Sequence, residues 1–365
     1  MRVLIINPII YTSETDNIPK VESIKDTMIY ALCMGFIKNG DEPVLIAADD
    51  YRPIHDEKYP FTILWFPCIL KKICKPRCLP YMRGLRSYIA KHKKEFDYII
   101  CSEVFSLSSL TTAVFAQNKL LIWHELGAHN RMLYKLPSKF WYNVIARRFF
   151  KKIPIVPRSE NAQKFIQSYC RNVLPIHIDH GVDIEGIAYS DEKENYFVVL
   201  SQLIERKHID GIIDAFVKFY HEGFSEYSLK IIGDGVLREK LQEQVKALDA
   251  EDCVLFMGKL NHEQLMPILA KAKALLINTS KDNSMVSIVE SIAVGTPVLT
   301  TPVPFNAKYI QEYELGIVKE NWSYEELISM SKDNETYVDN CIDYREKLSN
   351  RYFAKLFNQI GGSLK

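Results

Sequence analysis

Residues 229–241 read LKIIGDGVLREKL: a short apolar run, then Gly-Asp-Gly, then an amphipathic stretch. The apolar run is typical of a buried strand, and the residues that follow the glycines have the spacing of a helix. Glycine permits tight turns and lets backbone approach a ligand, so Gly233 serves either a strand-to-helix turn or an anion site at the helix start. A strand that leads directly into a helix indicates an α/β unit.

The same alternation extends over most of the chain. Strands are predicted at 3–6, 43–47, 62–66, 98–101, 120–123, 153–156 and 173–176, and again at 196–200, 229–232, 254–257, 274–278 and 297–300. The segment 179–195 is polar and without period, which is typical of a linker. We therefore predict two doubly wound domains with parallel sheets that face a cleft. They span residues 1–178 and 179–340, and a C-terminal helix over 341–365 packs back on the first domain.

Composition excludes fibrous and disordered classes, because 47% of the 365 residues are hydrophobic and 25% are charged. The net charge of +1 is unevenly divided: residues 1–175 hold 26 Lys and Arg against 15 Asp and Glu, and residues 176–365 hold 20 against 30. Two basic stretches without acids, 71–94 and 135–152, account for much of the excess. The first domain is therefore expected to meet an anionic partner.

The chain start, MRVLIINP, is too short in apolar residues for a signal peptide, and no run reaches the ~18–20 residues of a membrane span. We expect a cytoplasmic protein whose eight cysteines are free thiols. A zinc site at Cys68, Cys74 and Cys78 is disfavoured by their spacing. No acidic doublet is placed to hold a metal, and no nucleic-acid motif is present.

The segment 278–301, NTSKDNSMVSIVESIAVGTPVLTT, supplies a second candidate site. A strand is followed by a polar loop and then by a helix, for which Ser284 is the predicted N-cap. Free amides of Ser284, Met285 and Val286 would suit a diphosphate. Glu290, eight residues after Asp282, could accept both hydroxyls of a ribose. An N-cap acid and a solvated acidic face are the alternative reading of this pair.

A third candidate lies in residues 198–216, VVLSQLIERKHIDGIIDAF. Lys207 comes shortly after the predicted strand 196–200, where a lysine can neutralise phosphate. An exposed lysine without function is the alternative.

Taken together in this order, residues 180 to about 318 resemble the donor-binding half of retaining GT-B glycosyltransferases of family 4. The resemblance rests on HGVDIEGI, on LSQLIERKHIDGIIDAF, on IIGDGVLREKL and on DNSMVSIVESIAVGTPVL, which is similar to that family's E-x7-E block. It implies a sugar transfer from a nucleoside-diphosphate sugar, UDP- or GDP-linked, with retention of configuration and without a metal or other cofactor.

The resemblance also implies roles for individual residues. Lys207 would contact the diphosphate, Glu290 the ribose, and Asp282 the donor sugar, whereas His124 would lie near the reacting sugar. Asp282, His124 and Lys207 are thus the predicted catalytic residues. The other predicted donor-binding residues are Ser284, Met285, Val286, Arg206, Gln202, Gly233, Gly258, Lys259 and Leu260. Glu125 and His129 are candidates on the acceptor side.

Some positions depart from the family pattern. Gln202 stands where the family has an arginine, and Arg206 is a candidate substitute for its charge. Asp282 replaces a glutamate, and the loop 8–20 lacks the family's glycines. These departures leave open a non-catalytic GT-B subunit that binds a nucleotide or a partner, and a GT-B epimerase is a third reading.

The acceptor is predicted to be a polysaccharide or a lipid-linked glycan of cell-surface polysaccharide or lipopolysaccharide synthesis. Residues 138–154, SKFWYNVIARRFFKKIP, combine aromatic and basic side chains, as membrane-interface helices do. We therefore predict a peripheral enzyme on the inner face of the cell membrane, held by anionic lipid. A core helix with a basic exterior is the alternative.

Overall fold

The computed structural model describes residues 1–9, 22–25, 27–55, 57–69, 80–130, 132–179, 181–282 and 284–364, without the side chains of residues 132 and 133. The chain divides into two compact units. The first comprises Met1–Gly181 together with Asn350–Lys365, and the second comprises Val182–Ser349.

The first unit is built on a parallel sheet with strand order β3-β2-β1-β6-β7-β8, and β4 and β5 form a separate antiparallel pair. Its strands are β1 (Arg2–Ile6), β2 (Glu42–Ala48), β3 (Thr62–Phe66), β4 (Cys68–Ile69), β5 (Tyr81–Met82), β6 (Tyr98–Ser102), β7 (Leu120–His124) and β8 (Ile155–Pro157). The central strand β1 pairs Leu4 with Val44 on one side and with Ile99 on the other. It is almost continuously apolar because helices cover both faces of the sheet.

Helices connect these strands and cover the sheet. They are α1 (Met28–Lys38), α2 (Leu85–His92), α3 (Leu107–Phe115), α4 (Leu136–Phe140), α5 (Arg147–Phe149) and α6 (Glu160–Gln167). A π-helical segment, Trp141–Ala146, joins α4 to α5. The C-terminal helix, Asn350–Gly362, packs on α1. Gly35 permits this approach, because a Cβ there would lie 2.2 Å from the carbonyl oxygen of Asn350.

The second unit repeats the architecture with strand order β11-β10-β9-β12-β13-β14, all parallel. Its strands are β9 (Tyr196–Leu200), β10 (Ser228–Ile232), β11 (Val254–Gly258), β12 (Ala274–Leu276), β13 (Val298–Thr300) and β14 (Gly316–Val318). Its helices are α7 (Ile209–His221), α8 (Arg238–Ala247), α9 (His262–Ala270), α10 (Val286–Ala293), α11 (Ala307–Glu312), α12 (Tyr324–Lys332) and α13 (Glu335–Tyr344). The predicted α/β class with two parallel sheets is confirmed.

Several details differ from the sequence predictions. The strand predicted at 173–176 is wrong: Val173 makes only an isolated bridge with Ile155, next to the edge strand β8. Strand β14 was not predicted, because three residues carry too little pattern. The single helix predicted over 341–365 is two helices, α13 and the C-terminal helix, separated by a turn over Arg345–Leu348. The units accordingly divide at 181 and 349 rather than at 178 and 340.

Among the described residues, no helix is long and apolar enough to cross a membrane.

Candidate functional site

The carboxyl edge of the second sheet collects the predicted donor-binding segments. The strand order places β9 beside β12, and the chain leaves this pair in opposite directions along the sheet. Such a switch point is where open α/β sheets bind ligands. The turn that carries Arg206 and Lys207 follows β9, and the loop that carries Thr279 and Asp282 follows β12.

Asp282 and the two neighbouring cations form one cluster at this edge. Asp282 Oδ1 accepts a hydrogen bond from Arg206 Nη1 at 2.6 Å, and its Oδ2 accepts one from Lys207 Nζ at 2.8 Å. Thr279 Oγ1 donates to the same Oδ2 at 2.5 Å. The side chains of Lys207 and Asp282 are only 10% and 14% exposed. Sequence reasoning placed Arg206, Lys207 and Asp282 in the site. It missed Thr279 and did not predict that these groups bind one another.

This environment keeps Asp282 ionised. Burial raises the pKa of its carboxyl, but the hydrogen bonds from Lys207, Thr279 and Arg206 outweigh burial, so that the pKa lies below its ordinary value of 3.8. The cluster holds two positive charges and one negative charge, a net excess of one cation. An incoming diphosphate would therefore meet cations that already have an anionic partner.

Backbone contacts fix the turn that carries the cations. His208 adopts a left-handed conformation with φ of 44° at the start of α7. The carbonyl oxygen of Arg206 accepts the Ser280 N–H at 2.9 Å. The two loops are thus held together by main chain as well as by charge, which sets the direction of both cationic side chains.

The start of α10 differs from the prediction by one residue. Met285, rather than Ser284, is the N-cap, and it makes no side-chain cap. The prediction of a free Met285 amide is wrong, because its N–H donates to Asn306 Oδ1 at 2.6 Å. The Val286 N–H has no hydrogen-bond acceptor among the described residues, as the first amides of a helix usually do not. Asn306 was missed by sequence reasoning, since it is supplied by the loop before α11.

Glu290 lies on α10 with its side chain 16% exposed. Its Oε1 lies 3.4 Å from Nε2 of His262, the first residue of α9. The carboxylate thus lies on the helix that follows the loop of Asp282. His262 was missed by sequence reasoning, because no motif singles it out.

The glycines of the Gly-Asp-Gly turn are required by packing. A Cβ on Gly233 would lie 1.8 Å from the Ser201 carbonyl oxygen, and a Cβ on Gly235 would lie 2.3 Å from that of Leu203. The turn reading of this motif is therefore sufficient to explain both glycines. The loop after β9 and the turn after β10 run in backbone contact, which positions the site without adding a ligand group.

The remaining predicted donor residues surround this edge. Gly233 N–H donates to the carbonyl of Gly258 at 2.8 Å, and Gly258 has a φ of 69°. Lys259 is exposed, and Leu260 packs partly against the core. Gln202 is exposed and its side chain makes no hydrogen bond with a described residue. It does not replace the arginine of the family pattern, whereas Arg206 brings a charge to the cluster.

In the first unit, His124 ends β7 and is fully buried. Its Nδ1 lies 2.8 Å from Glu103 Oε2, but the atoms are not aligned for a hydrogen bond. The Nε2 atom is also buried and has no partner among the described residues. Phe165 stacks on the ring with 6.3 Å between centroids.

A buried arginine links the strand ends beside His124. Arg158, next after β8, donates from Nη1 to Glu125 Oε2 at 2.7 Å, and its Nη2 lies 3.4 Å from Asp179 Oδ1. The guanidinium also lies 4.7 Å from the centre of the Trp123 ring. Glu125 N–H donates to Glu103 Oε1 at 2.6 Å. Sequence reasoning selected Glu125 but missed Arg158, Glu103 and Asp179, although two of them directly follow strands.

His129 is held by its neighbours. Its Nδ1 lies 3.1 Å from Ser138 Oγ and its Nε2 lies 3.0 Å from the Tyr169 hydroxyl. Burial, and then the charges of Lys139 and Lys135, lower the pKa of the imidazole. Both nitrogens therefore already have partners, and the contacts give His129 a structural use.

The loop 8–20 lies mostly outside the described residues, and so do Cys74 and Cys78 of the disfavoured zinc site. Within the described part of the chain, no cluster of three His, Cys, Asp or Glu side chains could hold a metal ion.

Comparison with known families places this edge in context. The family model described as "Glycosyl transferases group 1" matches residues 184–346, which is less than half of the chain and lies within the second unit. The Asp282 cluster, α10 and Glu290 all lie inside the match.

Curated relatives are distant and align over part of their length. The chain is 24% identical over 208 residues to the UDP-N-acetylglucosamine–peptide N-acetylglucosaminyltransferase GtfA subunit of Limosilactobacillus reuteri, covering 53% of this chain and 39% of that protein. It is 25% identical over 123 residues to the alpha-monoglucosyldiacylglycerol synthase of Streptococcus pneumoniae, covering 34% and 28%. The chain thus spans well under half of the length of these relatives. The family model and the first of these relatives are both described as transferases of sugars.

Among solved structures, Anabaena HepE in complex with UDP superposes with a TM-score of 0.66 at 13% identity, covering 99% of both chains. This likeness establishes the GT-B fold.

Proposed function

We propose that this protein is a glycosyltransferase that moves a hexose-type sugar from a nucleoside-diphosphate sugar to a glycan or lipid-linked acceptor. The observation that carries the proposal is the convergence of Arg206 and Lys207 at the carboxyl edge of β9 and β12. They lie within the stretch that matches the glycosyl transferase family model.

The chemistry required of this edge is electrostatic. When the bond between the sugar and the diphosphate breaks, negative charge grows on the leaving phosphate, and fixed cations stabilise it most at that moment. We assign this role to Lys207 and Arg206, with the Val286 amide at the start of α10 as a further donor. Glu290 is assigned to the ribose hydroxyls.

Asp282 is assigned a positioning role toward the cations, in addition to the predicted contact with the donor sugar. Its carboxylate binds both cations. Binding of a diphosphate would compete with this carboxylate and free it to accept hydroxyls of the sugar. Asp282 would thus bind the two cations before the donor arrives and the hydroxyls of the sugar afterwards.

The same proposal specifies the reaction further. The enzyme belongs to family 4, uses a UDP- or GDP-linked donor, and transfers the sugar with retention of configuration and without a metal ion. It is a cytoplasmic enzyme that meets, at the membrane, an acceptor of surface-polysaccharide or glycolipid synthesis. The relatives named above carry N-acetylglucosaminyl and glucosyl activities toward a peptide and a diacylglycerol, which supports a sugar donor but leaves several acceptors.

The test begins with thermal unfolding of the pure protein in EDTA with UDP-, GDP-, ADP- and dTDP-sugars. A ligand at 100 times its Kd adds about 2.7 kcal/mol to stability, which shifts the Tm readably. The sugar nucleotide that shifts the Tm is then incubated with lipid-linked and free glycan acceptors, and the anomeric configuration of the product is read by NMR. If the sugar nucleotide binds but is not turned over with any acceptor, the result favours a non-catalytic subunit. If the sugar nucleotide is converted without an acceptor, the result favours an epimerase.

A further inference from the structure

The helical stretch Leu136–Phe149 presents two different faces. Tyr142 and Ala146 are fully buried in the core of the first unit, and Phe150, directly after the stretch, is buried too. The prediction that these aromatic rings face a membrane is therefore wrong for Tyr142 and Phe150. The opposite face of the stretch is exposed and carries both apolar and basic side chains.

Apolar side chains form a ridge on that face. Leu136, Phe140 and Val144 follow one another at intervals of four residues and are 65%, 61% and 48% exposed, and Tyr134 before them is 93% exposed. We call these four residues the apolar ridge. Exposed apolar patches with a polar rim mark surfaces that bind another molecule or a membrane.

The backbone presents the first part of the ridge at a conformational cost. Tyr134 and Lys135 are consecutive non-glycine residues with φ of 53° and 67°. A left-handed conformation of a non-glycine residue costs on the order of 1 kcal/mol or more. The strained turn holds Tyr134 out of the core, although burial would favour so large a ring.

Cations surround the ridge. Lys135, Lys139, Arg147 and Arg148 are exposed on the same stretch, and the sequence of residues 126–159 contains no Asp or Glu at all. Glu160, the next acid in the chain, pairs with Lys164 at 2.7 Å. The face is therefore apolar along its middle and positive along its border, which complements an anionic interface.

A cavity of about 360 Å³ opens beside the far end of the ridge. Three cationic side chains line it, Arg147, Lys151 and Arg171, and none of the described residues that line it is acidic. Arg147 is fixed there by a hydrogen bond from its Nη2 to the Ser168 carbonyl at 3.3 Å and by the Tyr169 ring at 5.8 Å. We call this the cationic pocket. Its three cations suit an anionic group such as a phosphate.

We propose that the apolar ridge and the cationic pocket together dock the protein on a bilayer that contains anionic phospholipid. The ridge enters the headgroup region, and the pocket takes a lipid phosphate. A soluble polyanion would use the cations but leave the ridge without a function, so the paired arrangement favours a lipid surface. This docking surface rests on the proposed function in one respect: it is the surface through which the enzyme would reach a lipid-linked acceptor.

The experiment is flotation of the full chain with vesicles of phosphatidylcholine alone or with added phosphatidylglycerol, at low and at physiological salt. Wild type is expected to float with the anionic vesicles at low salt. The variant Lys151→Gln/Arg171→Gln should lower the partition coefficient roughly 30-fold, at about fivefold for each charge near the surface. The variant Leu136→Ser/Phe140→Ser should lower it on the order of 10-fold or more, because apolar area is lost.

Matched controls lie elsewhere on the chain. Lys240→Gln/Lys246→Gln removes the same charge from the exposed side of α8, and Ile54→Ser removes an apolar side chain that is 60% exposed. Both should float as wild type does. Thermal unfolding checks that each variant is folded, and Phe140→Trp, which keeps a large apolar ring, should retain binding.

Absence of flotation at low salt would overturn the proposal. So would flotation that the ridge variant leaves unchanged, since it would assign the surface to simple anion binding. Neither result bears on donor binding in the second unit, which thermal unfolding with sugar nucleotides measures separately.

Discussion

The carboxylate of Asp282 lies 2.8 Å from the ammonium group of Lys207, and both side chains are nearly buried. The pair joins the loop after β12 to the turn after β9, 75 residues apart in the chain. A lysine expected to bind the donor diphosphate is therefore already bound to an acid of the same unit. The roles of Lys207 and Asp282 therefore depend on whether a bound nucleotide separates this ion pair.

Replacement of Lys207 by alanine should slow catalysis more than it weakens donor binding. Charge grows on the leaving diphosphate in the transition state, so a fixed cation contributes most there. We expect kcat to fall about 100-fold or more, with a smaller change in KM for the donor. Steady-state kinetics measures both, with Lys246→Ala on α8 as a control that removes an exposed lysine. An unchanged kcat with a raised KM would contradict this role.

Asp282→Asn separates the two roles assigned to this acid. If the carboxylate competes with the diphosphate, its neutralisation should tighten binding of UDP or GDP, on the order of 10-fold, while transfer slows. Isothermal titration with the free nucleotide measures the affinity, and Glu243→Gln on α8 controls for the change in net charge. Weaker nucleotide binding by Asp282→Asn would show that the carboxylate does not act as an internal competitor.

The same cluster makes stability depend on pH. Because the pKa of folded Asp282 lies below its ordinary value of 3.8, the unfolded chain binds a proton more readily than the folded one. The contribution of Asp282 to stability is therefore present in full above that value and is lost as the pH falls through the folded pKa. Urea unfolding of wild type and Asp282→Asn should show a difference that shrinks below about pH 4. A constant difference would argue against the ion pair.

Much of the fold could be predicted from the sequence because its strands are buried on both faces. The residues of strands such as β1 form uninterrupted apolar runs, and capping residues or glycines mark the ends of the helices. The alternation of strands and helices could therefore be predicted. Short elements such as β14 were not, since three residues carry no period. The strand predicted at 173–176 failed because an apolar run at the sheet edge packs equally well as irregular chain.

The candidate site was predictable by position but not by pairing. Sequence order places Lys207 and Asp282 after two strands that the topology makes neighbours, yet spacing alone cannot show that they bind each other. The Met285 amide was expected to be free, and only the fold brings Asn306 to it. Arg158 belongs to no recognisable motif. Its ion pairs with Glu125 and Asp179 form only because the fold brings these segments together.

Gly233→Ala should destabilise the second unit strongly, because a Cβ would lie 1.8 Å from the Ser201 carbonyl oxygen and the residue has a φ of 134°. We expect a loss of about 3 kcal/mol or more, read from urea unfolding. Gly223→Ala is the matched control: its φ of 103° is also strained, but no atom of the described residues lies within 4 Å of the added Cβ. It should cost only about 1 kcal/mol. Equal losses in the two variants would show that backbone strain, rather than the contact with Ser201, explains the glycine.

His124→Phe tests whether the buried imidazole serves catalysis or packing. The ring lies among Tyr142 and Phe165, so a phenyl ring of similar shape removes an unsatisfied Nε2 from the core. Stability should fall by about 1–3 kcal/mol, because the phenyl ring fills the volume but leaves the buried Glu103 Oε2 without the imidazole beside it. Transfer should nevertheless fall at least 100-fold, roughly the usual scale of a lost acid, base or polarising group. Leu110→Phe, a change of a partly buried side chain of the same unit, controls for repacking. Full activity in a folded His124→Phe variant would assign the imidazole to packing alone.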